Sequence, residues 1–168
     1  MKKIILVSVL AMLTLTSFGR GRVENATVVA DTIYYAENMM NVAHANQASY
    51  YRLLVQTGSG INKQDMLEDY YMNGNLKAVA GYSFVDLAND KNTVLNGEVT
   101  TYYPNGKEKW HGNYVNGKRE GYFTLQMRDG SVAVVLFKNG RSAHDYFTIT
   151  HKDGSMEKLN IKEIRSLM

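Results

Sequence analysis

The stretch GEVTTYYPNGKEKWHGNYVNGKREG, residues 97–121, contains two Asn-Gly pairs, each flanked by residues that favour β-strands. Asn-Gly is the dipeptide best suited to a tight hairpin turn in which both central residues need positive φ. We therefore predict hairpin tips at Asn105-Gly106 and at Asn116-Gly117.

The segment that ends at the first of these tips recurs along the chain. The same spacing of nine residues that separates Gly97 from Gly106 also relates Gly121 to Gly130, Asp145 to Gly154 and Asp65 to Gly74. Positions 97, 121 and 145 are 24 residues apart, whereas 65 and 97 are 32 apart. A fixed period of this size is typical of a repeat array. The longer interval predicts an insertion loop at about residues 83–95, with Asn89-Asp90 as a turn candidate.

Side chains alternate in character within each repeat, as they do along strands. One face of the approach strands is mostly apolar and carries Leu67, Val99, Phe123 and Phe147, then Asp69, Thr101, Leu125 and Ile149. The same alternation on the return strands aligns Leu76, Ala78 and Ala80 with Glu108, Trp110 and Gly112, and with Val132, Val134 and Leu136. The pattern predicts an all-β, mainly antiparallel fold, in which hairpin repeats form an extended twisted sheet with at most one short N-terminal helix.

The first 19 residues have the features of a signal peptide. Lys2 and Lys3 precede an uncharged, largely apolar stretch over residues 4–18, and small residues lie near Gly19. The apolar stretch is shorter than the ~20 residues that span a bilayer as a helix. We therefore expect export to the periplasm or the cell exterior, with the cleavage position left open, and the absence of cysteine excludes a lipoprotein anchor.

The rest of the chain divides into three parts. Residues 20–60 are interpreted as a leader with strands at 32–35 and 50–56 and a short helix or turn between 36 and 48. Residues 61–162 form the repeats, and residues 163–168 are expected to be a fraying tail. After loss of Lys2 and Lys3 the formal charge falls from +3 to about +1, which argues against nucleic acid or an anionic membrane surface as the main partner.

The run from Gly97 to Lys107, followed by the run from Gly112 to Gly121, resembles the MORN-repeat variant of bacterial envelope proteins, many of which are labelled antitoxin-like. The tyrosine-rich segments 31–35 and 48–52 resemble the pieces that precede such repeats. The resemblance covers residues 31–158 and is strongest over 97–130. It departs from the pattern where Asp65 and Asp145 replace the first glycine.

Residue types that carry out catalysis or bind metals show no recognisable pattern. The four histidines form no ligand pair, and no nucleophile elbow or phosphate-binding glycine loop occurs. Asp86, Asn89, Asp90 and Asn92 could offer oxygen ligands to calcium, but they lack the glycine and terminal glutamate of an EF-hand, and turn formation is the preferred reading. We expect no enzymatic activity, no cofactor and no metal.

Aromatic side chains are the remaining candidates for a functional surface. Tyr102, Trp110 and Tyr122 are predicted to bind a partner, because tyrosine and tryptophan combine a large contact area with a polar group. Cross-strand ladders that hold the sheet together are the alternative role of such residues. The expected function is that of an exported, non-enzymatic module that binds a protein or an envelope component. An antitoxin or immunity protein is the alternative, and self-association through sheet edges stays open.

Overall fold

A computed structural model describes residues 26–164, which form one thirteen-stranded antiparallel sheet. The strands are β1 (Thr27–Val28), β2 (Ile33–Tyr35), β3 (Asn41–Val42), β4 (Tyr50–Thr57), β5 (Gln64–Tyr71), β6 (Leu76–Phe84), β7 (Val94–Tyr102), β8 (Glu108–Val115), β9 (Lys118–Gln126), β10 (Val132–Lys138), β11 (Arg141–Ser142), β12 (Tyr146–Thr150) and β13 (Met156–Asn160). The predicted signal peptide lies outside the described residues.

Neighbouring strands follow the chain order almost throughout. The order across the sheet is β13-β12-β10-β9-β8-β7-β6-β5-β4-β2-β3, with β1 paired to β4 and β11 paired to β10. A succession of hairpins produces this arrangement, and the prediction of an all-β, mainly antiparallel fold is confirmed. Between β3 and β4, where a short helix or turn was expected, the chain makes a single 3₁₀ turn at Ala45–Gln47.

The four repeat tips have the same geometry. In the tip at Asn105-Gly106, Tyr103 N–H donates to the Lys107 carbonyl and Gly106 N–H donates to the Tyr103 carbonyl, each at 2.8 Å. Of the central residues there, only Gly106 has positive φ, at 81°. The prediction of positive φ at both positions is therefore wrong for Asn105, because this longer turn needs a left-handed residue only at the glycine.

Two-residue turns occur at the opposite ends of the strands. At the β8–β9 connection, Asn116 has a φ of 50° and Gly117 a φ of 76°, so the prediction of positive φ at both positions is confirmed there. Asn139 and Gly140 form a second turn of this kind between β10 and β11, with φ values of 51° and 83°. The sequence analysis did not single out this second pair, although its Asn-Gly signal is the same.

The inner face of the sheet is defined here as the one that carries Leu67, Val99, Phe123 and Phe147, and the outer face is the opposite one. All four of these side chains are buried, as the alternation predicts. The register of β10 differs from the prediction. Its buried inner-face residues are Ala133, Val135 and Phe137, whereas Val132, Val134 and Leu136 pair with outer-face residues of β9.

A β-bulge explains this difference. The pairings of β5 with β6 and of β7 with β8 each shift register near the tip, at Asp69/Tyr70 and at Thr101/Tyr102. The β9–β10 pairing continues from Gln126 opposite Val132 to Gly121 opposite Phe137 without such a shift. A shift of one residue exchanges the two faces of a strand. Beyond the bulge, β6 and β8 therefore place the fourth and sixth residues after the tip glycine on the inner face. Strand β10, which has no bulge there, places the third, fifth and seventh residues on that face.

Two clusters of buried side chains lie on the inner face. The larger comprises Trp110, Phe123, Leu125, Ala133, Val135, Phe137, Phe147, Ile149 and Ile164, and the smaller comprises Leu54, Leu67, Ala80 and Val99. Ile164, which falls in the predicted tail, is only 5% exposed and packs into the larger cluster after a 3₁₀ turn at Ile161–Glu163.

The predicted insertion forms the connection between β6 and β7, residues 85–93, and contains a 3₁₀ turn at Asp90–Asn92. We call these residues the 85–93 loop. The backbone of the loop is held against the N-terminal segment: Asn41 N–H donates to the Ala88 carbonyl and Asp90 N–H donates to the Met39 carbonyl, both at 2.9 Å. The loop is thus fixed in place by the chain that precedes the repeats.

Candidate binding cleft

A cleft of about 380 Å³ lies on the inner face, where its lining runs from β4 to β9. Its floor includes Ala78 and Ala80 of β6, whose short side chains leave a depression between strands that carry larger residues. Leu67, Leu95, Val99 and Leu125 add apolar surface. The volume lies within the range of ~300 to 1,000 Å³ that is typical of small-molecule sites.

An ionic cluster occupies the β4 end of the cleft. Arg52 donates from Nε to Asp69 Oδ1 at 2.7 Å and from Nη2 to Asp69 Oδ2 at 2.9 Å, a bidentate pair. Asp90 of the 85–93 loop accepts from Arg52 Nη2 at 3.0 Å and from Arg52 Nη1 as well, and the Tyr50 hydroxyl donates to Asp90 at 2.6 Å. Arg52 and Asp69 are 3% and 4% exposed, so this is a buried cluster.

The surroundings change the pKa values of these groups in different directions. Burial raises the pKa of Asp69 even though Arg52 opposes the change. Burial also opposes ionisation of Asp90, but attraction to Arg52 and the hydrogen bond from Tyr50 outweigh it and lower the pKa of Asp90. Burial raises the pKa of Tyr50, and its bond to Asp90 adds to this effect. Mutual hydrogen bonding of these groups suits a structural role: it attaches the 85–93 loop to the sheet.

Arg119 of β9 lies at the other end of the cleft. Its guanidinium carbon is 5.1 Å from the centroid of the Phe137 ring and 5.9 Å from the centroids of Trp110 and Phe123. Its Nε donates to the Tyr114 hydroxyl at 3.2 Å. Within residues 26–164, no carboxylate forms an ion pair with Arg119. This end of the cleft therefore presents a half-buried cation on an aromatic surface.

The three predicted binding residues do not come together. Trp110 lines the cleft and is 8% exposed. Strand alternation places Tyr102 and Tyr122 on the outer face, because their neighbours Thr101 and Phe123 lie on the inner one. Tyr122 is 70% exposed, whereas Tyr102 is partly buried, which raises its pKa. Of the three residues, the structure places only Trp110 in the cleft.

Arg52 and Arg119 were not among the predicted site residues. The available signal was Asp69, a carboxylate at a position that the alternation assigns to the apolar face. A buried carboxylate needs a partner of opposite charge, so its presence there predicts a nearby arginine or lysine without saying which one.

The side chains considered for calcium bind groups of the protein itself. Asp86 accepts from the backbone N–H of Ala88 and of Asn89 and from the Asn92 amide, and Asp90 bonds to Arg52. Over residues 26–164, no group of three or more His, Cys, Asp or Glu side chains is placed to hold a metal ion. No helix in the same range is long and apolar enough to cross a membrane.

Comparisons with known proteins give no relative: no protein-family model matches the chain, nor does any curated protein or solved structure. The resemblance to MORN repeats therefore stays a prediction. Fold and cleft together define a class, a single-sheet protein of antiparallel hairpin repeats with a cavity on one face.

Proposed function

We propose that the protein is an exported, non-enzymatic binding module of MORN-like hairpin repeats, and that its cleft receives part of a protein or of an envelope component. The cleft itself carries this proposal. Apolar side chains provide most of its exposed lining and a few polar and charged groups lie among them, which is the usual composition of a ligand-binding pocket.

Trp110 supports a binding role for the cleft. Tryptophan is enriched among the residues that dominate binding energy at interfaces, particularly where they lie in a pocket that excludes water. Trp110 is held there by the aromatic core, since its ring centroid is 5.5 Å from that of Phe123. A ligand would meet a pre-formed aromatic wall, which reduces the entropy lost on binding.

The pairing of the buried charges favours binding over catalysis. A general acid or base must reach the substrate with a proton-accepting or proton-donating atom. Both oxygens of Asp69 accept hydrogen bonds from Arg52, and Asp90 is bonded to Arg52 and Tyr50. These are the charged groups at the β4 end of the cleft, and they contact one another.

Blocking the cleft tests the proposal. In Ala78→Phe the new ring occupies the floor of the cleft, whereas in Val79→Phe, the adjacent residue on β6, the ring lies on the outer face. Each purified mature chain would be used to capture partners from envelope extract. We expect Ala78→Phe to lose a partner that wild type and Val79→Phe both retain.

Two results would overturn the proposal. Equal capture by Ala78→Phe and wild type, with loss of capture in Tyr122→Ala, would move the site to the outer face. Turnover of glycosides, peptides or esters by wild type, abolished by substitution of one acidic residue, would make the protein an enzyme. The antitoxin role stays an alternative, tested by co-expression with the products of neighbouring genes and a search for rescue and co-purification.

A further inference from the structure

Arg119 differs from Arg52, the other arginine of the cleft, in that no carboxylate within residues 26–164 forms an ion pair with it. Arg52 is neutralised by Asp69 and Asp90, whereas Arg119, in the part of the chain that the structure describes, contacts aromatic rings and the Tyr114 hydroxyl. A guanidinium removed from much of its water normally forms hydrogen bonds with an anion. Its environment therefore points to an anionic partner that enters the cleft.

The geometry of Arg119 suits a planar oxyanion. Tyr114 accepts a hydrogen bond from Nε, and within residues 26–164 no side chain or carbonyl accepts one from the two terminal nitrogens. Two parallel N–H groups match the two oxygens of a carboxylate, and such bidentate pairs are shorter and stronger than neutral hydrogen bonds. The guanidinium carbon lies over the ring of Phe137, 5.1 Å from its centroid, so the group rests against the aromatic core.

The two ends of the cleft differ in charge, and this difference determines in which orientation an anionic ligand would bind. At the β4 end, two carboxylates share one guanidinium, so a ligand anion would be repelled there. At the β9 end, Arg119 attracts it, and Lys109 also lines the cleft. Between the ends lie Ala78 and Ala80 of β6 and Val99 of β7, which offer apolar contact.

We propose that the cleft binds an apolar chain that ends in a carboxylate, with the carboxylate at Arg119 and the chain along the floor formed by Ala78 and Ala80. This inference rests on the proposed function, because it names the chemistry of the ligand for the same cleft. A cavity of about 380 Å³ favours one chain of medium length over a two-chain lipid.

Titration with ten-carbon probes tests the inference. Trp110 is the only tryptophan of the chain and lines the cleft, so its emission reports occupancy. The mature chain would be titrated with decanoate, decanol, decylamine and decyl phosphate. We expect decanoate to bind about tenfold or more tightly than decanol, because hydrogen bonds to charged groups are among the strong ones. Decylamine should bind most weakly.

Variants of Arg119 separate a ligand contact from a structural role. Arg119→Met should remove the preference for decanoate while leaving the affinity for decanol unchanged, and Arg119→Lys should retain part of the preference. Arg141→Met makes the same change at an exposed position outside the cleft and should behave as wild type. Circular dichroism would establish that each variant is folded. If Arg119→Met does not fold, the test is whether Arg119→Lys shows a smaller preference for decanoate over decanol than the wild type does.

Several outcomes overturn the inference. Equal affinity for decanoate and decanol, or equal weakening of all probes in Arg119→Met, would show that Arg119 does not select an anion, although the cleft would remain a binding site. Tighter binding of decyl phosphate than of decanoate would replace the carboxylate with a phosphate. Failure of every probe to bind would also overturn the inference, and the Ala78→Phe capture experiment would then judge the proposed function separately.

Discussion

Arg52 on β4 and Asp90 in the 85–93 loop are hydrogen-bonded across 38 residues of sequence, with Nη2 and Oδ2 3.0 Å apart. The same guanidinium holds Asp69 on the adjacent strand through two further bonds. The 85–93 loop, whose backbone is also bonded to the N-terminal segment, is thereby tied by a side chain to the inner face, where Asp90 and Thr93 line the cleft. Arg52 thus contributes both to the stability of the fold and to the shape of the cleft.

Replacing Arg52 with methionine should destabilise the protein by ~3 to 5 kcal/mol, since removal of one partner leaves a buried carboxylate without its counter-ion. Asp69 is the residue that would be left uncompensated. Urea unfolding of the wild type and the variant would measure the change.

Gln56→Ala on the same strand is the control, because it removes only the exposed hydrogen bond to Asp65, which measures 3.0 Å. We expect that change to stay within ~0.5 kcal/mol. A loss in Arg52→Met as small as that of the control would mean that the cluster does not stabilise the fold.

Asp90 should make stability depend on pH. Because the folded state lowers the pKa of Asp90, its ionised form stabilises the protein above the unfolded pKa of ~3.9, and this contribution disappears as the pH falls through the folded pKa. Asp90→Asn keeps the size of the side chain but has no titrating group.

The measurement is the difference in free energy of unfolding between the wild type and Asp90→Asn, followed from pH 7 to pH 2. We expect a constant difference of ~1 to 3 kcal/mol at neutral pH that narrows below about pH 4. A difference that is constant or widens as the pH falls would contradict the lowered pKa.

Gly112 should be intolerant of any side chain. A Cβ atom at this position would lie 2.3 Å from Cδ1 of Phe123, so Gly112→Ala forces a core ring to move. The expected cost is ~1 to 3 kcal/mol in the free energy of unfolding.

A double-mutant cycle with Phe123→Leu provides the control for Gly112→Ala. The smaller side chain relieves the contact, so the alanine should cost less in the Leu background than in the wild type. Additive effects of the two substitutions would show that the cost arises from the backbone rather than from the contact with Phe123.

The two Asn-Gly pairs of the 97–121 stretch should respond differently to Asn→Ala substitution. Asn116 has a φ of 50°, a region that costs alanine ~1 to 2 kcal/mol, so Asn116→Ala should lower the free energy of unfolding by about that amount. At the other tip, Asn105→Ala should lose only an exposed hydrogen bond between the Asn105 side chain and Lys107 N–H, 3.1 Å long. Thermal unfolding of both variants would measure the two losses in stability. A larger loss of stability in Asn105→Ala than in Asn116→Ala would contradict the turn assignment.

Local patterns predicted much of the sheet. The Asn-Gly pairs and the nine-residue spacing locate hairpin tips, and the alternation of Leu67, Val99, Phe123 and Phe147 identifies the buried face. Both signals act over a few residues, because turn geometry depends on φ at one or two positions and a strand has a period of two. The register of β10 was not predicted, because a bulge depends on how a strand pairs with its neighbour and cannot be identified from the sequence of one strand.

The sequence by itself determined that this chain folds into antiparallel hairpins with one apolar face, since glycine at the turns and alternating side chains are local requirements. Only the tertiary structure decided which residues make the cleft. Arg52, Asp69 and Asp90 come from two strands and a loop, and Trp110 meets Arg119 across the β8–β9 hairpin. Their proximity follows from the twist and register of the whole sheet, which are set by packing between segments distant in sequence.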